Sequence, residues 1–166
     1  MNGPDPIERV ATSDEREALD AFLDHYRRCV VGKARGLSEE DCRRRLVPSL
    51  TTVGGIVKHL RWVEVGWFHL LLGERSGTNQ RAHRREVEFT VEPDDTLGSL
   101  IEEYRLACNT SREIARHHGL DDAVPHDEMG KVSVRWIYLH LIEETARHAG
   151  QLDILREQLD GATGPG

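Results

Sequence analysis

Two histidines and a glutamate stand where the surrounding pattern asks for apolar side chains. Glu144 and His148 lie four residues apart in a segment whose stripe otherwise reads Ile137, Tyr138, Leu141, Ile142, Leu152 and Leu155. Successive residues of an α-helix are about 100° apart, so Ile137 and Glu144 fall about 20° from each other on the helical wheel. His148 follows about 40° further round, and Leu155 returns to within about 20° of His148. A carboxylate in the middle of such a stripe is costly unless something pairs with it.

A second segment offers the partner. His59 falls beside Ile56 and Val63, and Gly55 and Gly66 share its stripe. Glycine inside a helix costs about 0.5–1 kcal/mol relative to alanine. Two of them beside a histidine point to space kept open for a neighbouring helix or a ligand. Two ligands at i and i+4 on one helix, with a third from a facing helix, can hold a single divalent ion. Two imidazoles and one carboxylate suit zinc, iron(II) or nickel(II), and leave coordination positions open as a catalytic site requires. The competing reading is a solvated Glu144–His148 pair and a core His59 satisfied by hydrogen bonds.

Around these three stand further candidates. His140, one turn before Glu144, is read as a hydrogen-bond donor behind the ligands, a fourth ligand, a base, or a locally bonded flank residue. Gln151, three residues after His148, is placed to orient that ring's other nitrogen, a service metal-bound histidines usually need, or to cap backbone. Arg147 reads as a partner of Glu143 or as a grip on an anionic thiol or substrate, and Trp62 as core or as a pocket wall. Cys29 and Cys108 read as small core residues. Tyr104 reads as core and His69, His83, His117, His118 and His126 as structural or surface residues.

The elements that must position these residues are helical. Thr12 to Glu15 predicts a capping box, followed by an apolar stripe from Leu19 to Val30 and a helix over 13–35 that stops at Gly36. A short capping signal runs from Ser38 to Asp41. The spacing predicts further helices over 52–73, from the Asp94–Thr96 cluster to Gly119, and from Ser133 to about Leu159. Val87 to Val91 alternates briefly, and no convincing strand appears. Four long amphipathic helices predict an all-α four-helix bundle over 13–160, after a flexible lead of 1–12 and before a flexible tail of 161–166. The loops after the second and third helices leave room for crossovers.

The bulk properties exclude several functions. The net charge of −7 over 166 residues speaks against a nucleic-acid partner. Arg81, His83, Arg84 and Arg85 make a local basic cluster that reads as a solvated loop. Three widely spaced cysteines form no C-x-x-C pair and fit reduced thiols in a cytoplasm. Met1 to Val10 does not read as a signal peptide, and no stretch is apolar enough to span a membrane.

Two segments carry a family resemblance. TTVGGIVKHLRWVEVGWFHLLLG, residues 51–73, resembles the second helix of DinB-like proteins, where a His-Leu pair carries the first metal ligand. LHLIEETARHAGQLDILREQLD, residues 139–160, resembles the last helix of that superfamily, which often has histidine where Glu144 stands. The glutamate form, with the linker Gly36 to Pro48, is similar to an actinobacterial subfamily of unassigned function related to mycothiol-dependent maleylpyruvate isomerases. The resemblance implies a DinB-like bundle, with His59, Glu144 and His148 as metal ligands, and a homodimer. It further implies a transferase or isomerase that uses a low-molecular-weight thiol such as mycothiol on a small-molecule substrate. The alternatives are a metal-dependent hydrolase using bound water, with His140 as base, and a non-enzymatic metal- or metabolite-binding module.

Overall fold

The computed structural model describes residues 7–73 and 85–164. The cluster Arg81, His83 and Arg84, together with the side chain of Arg85, lies outside them. Helix α1 spans Glu15–Ala34, the short α2 Glu39–Arg43, and α3 Val53–Glu64. The chain continues from α3 as a π-helical segment, Val65–Leu72. Then come the short α4, Arg85–Phe89, and α5, Leu97–Ala115. A hairpin of β1, Ala123–His126, and β2, Gly130–Ser133, leads into α6, Val134–Asp160. The chain is an all-α bundle of the DinB-like kind, with one small antiparallel hairpin added. No helix among the described residues is long and apolar enough to cross a membrane.

Side-chain caps set most of the starts. Thr52, Thr96 and Ser133 each accept from the backbone N–H three residues on, and Ser99 completes a capping box with Thr96. At α1 the cap is Asp14, which accepts from Glu17 N, and not Thr12. Residues Glu8–Val10 form a 3-10 turn that buries Val10, so the chain turns once more before the helix begins. Helix α5 ends at Ala115, short of Gly119. Arg16 of α1 donates to the Ala115 and His118 carbonyls there, satisfying acceptors that a helix C-terminus leaves open. The hairpin was not expected. Its strands have four residues each, Pro125 interrupts the first, and Val132 is their one buried apolar residue. Pairing rests on the turn at Gly130, whose φ of 73° suits glycine. At the tail, Lys33 Nζ reaches the Gly164 carbonyl.

Helix α1 packs along α6, and α3 lies against both α5 and α6. The apolar core falls into two clusters. One gathers Val30, Ile56, Leu60, Tyr104 and Leu152; the other gathers Leu23, Trp67, Phe68, Ile137 and Leu141. Charged side chains are built in beside them. Arg27 of α1 and Glu64 of α3 are 5% and 1% exposed, and pair through two bonds of 2.8 and 2.7 Å. Asp24 bonds both Arg27 and Arg112, which ties α5 into the same network. Burial by itself would lower the Arg27 pKa, but the Glu64 carboxylate beside it keeps it well above the ordinary arginine value.

Removing one partner of a buried pair strands the other's charge, which typically costs about 3–5 kcal/mol. Glu64→Ala is therefore expected to destabilise the protein by about that much in denaturant unfolding. Arg27→Met added to Glu64→Ala should recover most of the loss, because the stranded charge goes with it.

Candidate metal centre

Helix α3 carries His59 to α6, where Glu144 and His148 sit one turn apart. His59 Nε2 lies 3.1 Å from Glu144 Oε1, and His148 Nε2 lies 3.3 Å from the same oxygen. One donor atom from each residue falls within 4.8 Å of the other two. His59 and His148 are buried, while the Glu144 side chain is 19% exposed. Ligand atoms around a tetrahedral zinc, at bonds of about 2.0–2.1 Å, stand about 3.3 Å apart. The two contacts to Glu144 have that spacing, so the donor set fits a divalent ion.

The far side of each ring is also held. His148 Nδ1 faces Gln151 Oε1 at 2.8 Å, and His59 Nδ1 faces Glu88 Oε2 at 3.0 Å. An acceptor at Nδ1 fixes the proton there and leaves the Nε2 lone pair for an ion. Phe89 stacks on the His59 ring at a centroid distance of 4.3 Å and an interplanar angle of 17°. Glu88 and Phe89 arrive on α4, and Gly55 permits the approach. A Cβ at Gly55 would stand 2.6 Å from the Phe89 carbonyl oxygen. Gly54 does likewise for α2, where a Cβ would meet Cys42 Sγ at 2.6 Å. Around Gly66 nothing described lies within 4 Å, so that glycine leaves open space where Gly55 admits a neighbouring segment.

Burial alone would push the His59 pKa down, but hydrogen bonds to Glu144 and Glu88 outweigh it and raise it. Hydrogen bonds from His148 and His59 hold the Glu144 carboxyl far below the usual carboxylate range, against its partial burial.

The remaining candidates take separate places. Gln151 stands behind His148. Arg147 is exposed, with one guanidinium nitrogen 4.0 Å from a Glu144 oxygen and another on Glu143. Glu144 and Arg147 thus mark the side of the cluster that faces solvent. His140 is outside the convergent donor set; its ring stacks on Trp136 and meets Trp67 edge-on. Trp62 lies under the guanidinium of Arg61. Cys42 and Cys108 are buried, and burial pushes the Cys42 thiol up to about 11 and raises Cys108 further. Neither is an available nucleophile. In the sequence Glu88 and Phe89 read only as part of a brief alternation over Val87 to Val91; Val87 to Phe89 instead end helix α4, and the place of Glu88 and Phe89 beside His59 was missed.

A family model for mycothiol-S-transferases matches residues 18–161. The chain belongs to the mycothiol-S-transferase family. That agrees with the DinB-like resemblance of its second and last long helices. The match runs from α1 to the end of α6 and takes in all three residues of the cluster. A search of the curated proteins finds no match.

Two tests follow from the geometry around His59. Loss of a side chain that orients a metal-bound histidine typically weakens metal affinity by about 10–100-fold. Glu88→Ala and Gly55→Ala are both expected in that range by competition with a chromogenic chelator, the second because it pushes α4 away.

The metal-free protein should show a stability maximum in mildly acidic solution. The raised His59 pKa contributes stability that is complete below its unfolded value of about 6.5 and is lost as pH rises through the folded value. The lowered Glu144 pKa contributes stability that is complete above its unfolded value of about 4.3 and is lost as pH falls through the folded value. Thermal midpoints measured between these limits should exceed those on either side, and Glu144→Gln should flatten the profile.

Proposed function

We propose that this chain is a metal-dependent transferase in which His59, Glu144 and His148 hold a divalent ion, zinc by preference, and a mycothiol-like thiol attacks an electrophilic small molecule. The observation that carries the reading is one carboxylate oxygen shared by two imidazoles, each with its other nitrogen already engaged. Such a set is poorly explained by structure alone, because Glu144 and both rings replace apolar packing at a helix contact. The family match supports the thiol as co-substrate.

The residues divide the work. His59 and His148 offer neutral nitrogens, with Glu88 and Gln151 holding the tautomers. Glu144 supplies one negative charge, so two neutral ligands and one anion leave a dication with a single positive charge. That residual charge favours one anionic ligand from solution. A divalent ion bound here lowers the pKa of a coordinating thiol and so supplies a nucleophile at neutral pH. Phe89 walls the His59 side against water. Arg147, at the solvent-facing side, is placed to meet an anionic group on thiol or substrate. Pairing of two chains, as the resemblance implies, belongs to the same proposal.

The test combines metal content with a conjugation assay. The protein as purified should carry about one ion per chain, and His59→Ala and Glu144→Ala should lose it while remaining folded by circular dichroism. Product formation from an alkylating electrophile should require both the ion and mycothiol, with kcat/KM falling by about 100-fold or more in either variant. Folded variants that keep full metal content would sink the ligand assignment. Turnover of an ester without any thiol would move the reaction to hydrolysis.

A further inference from the structure

Helices α1 and α5 leave a groove of about 540 Å3 between them. That volume is within the range of small-molecule sites. Arg28 of α1 and Arg35, the extended residue that caps its C-terminus, line one wall, and Arg105 and Arg112 of α5 the other. Arg105 and Arg112 are seven residues apart, so both point from one side of α5. The floor includes Arg27 and Tyr104.

These arginines are of two kinds. Arg27 and Arg112 are committed, the first to Glu64 and Asp24 and the second to Asp24 and Asn109. Arg28, Arg35 and Arg105 are exposed and form no ion pair with any described residue. Glu102, also exposed, is the one carboxylate of the lining among the described residues. Three unpaired guanidinium groups thus face a single groove in a chain whose net charge is −7. Their mutual repulsion disfavours this grouping unless an anion relieves it.

An independent observation lies at the floor. Tyr104 is 1% exposed, and its hydroxyl has only the weakly bonding Cys108 thiol beside it among the described residues. Buried hydroxyls are nearly always well bonded, and one left with only a weak thiol partner commonly marks the place of a water or ligand.

We propose that this groove is a second binding site, for a small oxyanion carrying at least two carboxylate or phosphate groups. Guanidinium forks suit both groups, since each accepts two parallel N–H bonds. Arg28 and Arg35 take one end of the ligand and Arg105 the other. The site is separate from the metal centre. Glu64, which anchors the floor arginine, is five residues from His59 on α3 and about 140° round the helix from it. The proposal therefore stands whether or not the transferase reading does.

Isothermal titration calorimetry with pyrophosphate and with succinate, on the protein as purified, tests the site. One of the two probes should bind one per chain, and the tighter of them names the ligand's acid group. Arg28→Ala/Arg105→Ala, both exposed changes, should weaken it by about tenfold or more. His59→Ala should leave the affinity unchanged. Three outcomes would overturn the proposal: no binding of either probe, loss of binding in His59→Ala, or an equal loss in Arg44→Ala/Arg45→Ala. The second would place the probe at the metal centre and the third would reduce it to diffuse charge attraction.

Discussion

A charge taken out of water has to be paired, and that requirement governs how these four long helices meet. The two apolar clusters do not merge into one core. Two polar networks are built in beside them, one of Asp24, Arg27, Glu64 and Arg112 and the other of His59, Glu144 and His148. Helix α3 belongs to both. It sends Glu64 to α1 and His59 to α6, so its rotation about its own axis is fixed by two polar contacts. Apolar packing alone would tolerate small rotations, because methyl groups have no directional partners. A bidentate guanidinium–carboxylate pair does not.

Backbone detail then decides how near the second ring of residues can come. Gly54 and Gly55 carry no side-chain atom where Cys42 Sγ and the Phe89 carbonyl press against α3. These glycines weaken the helix locally, and Thr52 offsets part of that by capping its first turn through Gly55 N. The result is a histidine whose ring is stacked on one face, bonded at Nδ1, and aimed at Glu144. On α6 the same control comes from the sequence spacing itself, since Gln151 is on the turn after His148.

How much of this was legible in the sequence follows from the range of each interaction. The long helices and the shared face of Glu144 and His148 could be read because both depend on one period, 3.6 residues, applied within a segment; that His59 joins them rested on the family resemblance, since no periodicity reports a contact between helices. The same wheel would have exposed Glu64, four residues after Leu60 and three before Trp67, and Arg27, four after Leu23 and three before Val30. Neither drew attention, because arginine and glutamate are so common on helix surfaces that a single one inside a stripe reads as noise. Glu88 was hidden for a different reason. It acts from a five-residue helix beyond a polar connection, and no local periodicity reports which distant ring a short helix touches. The hairpin, held by a turn and one buried valine, leaves too weak a pattern, and the change from α to π winding after Glu64 leaves none.

The balance of charge around His59 says why this cluster differs from an ordinary buried histidine. A satisfied core histidine donates from one nitrogen and accepts at the other, and is neutral. Here both nitrogens face carboxylates, Glu144 at one and Glu88 at the other. Ionised carboxylates only accept, so without another cation the ring must carry two protons to satisfy both contacts. The raised pKa of His59 expresses that demand. A divalent ion at Nε2 meets it equally well, with one proton remaining on Nδ1 for Glu88. The protein has therefore built a position that requires positive charge at one point between α3 and α6, which a proton or a divalent ion could supply. That demand for charge, rather than any preference in the apolar core, is what the glycines of α3, the carboxylate of α4 and the Glu144–His148 turn of α6 jointly sustain.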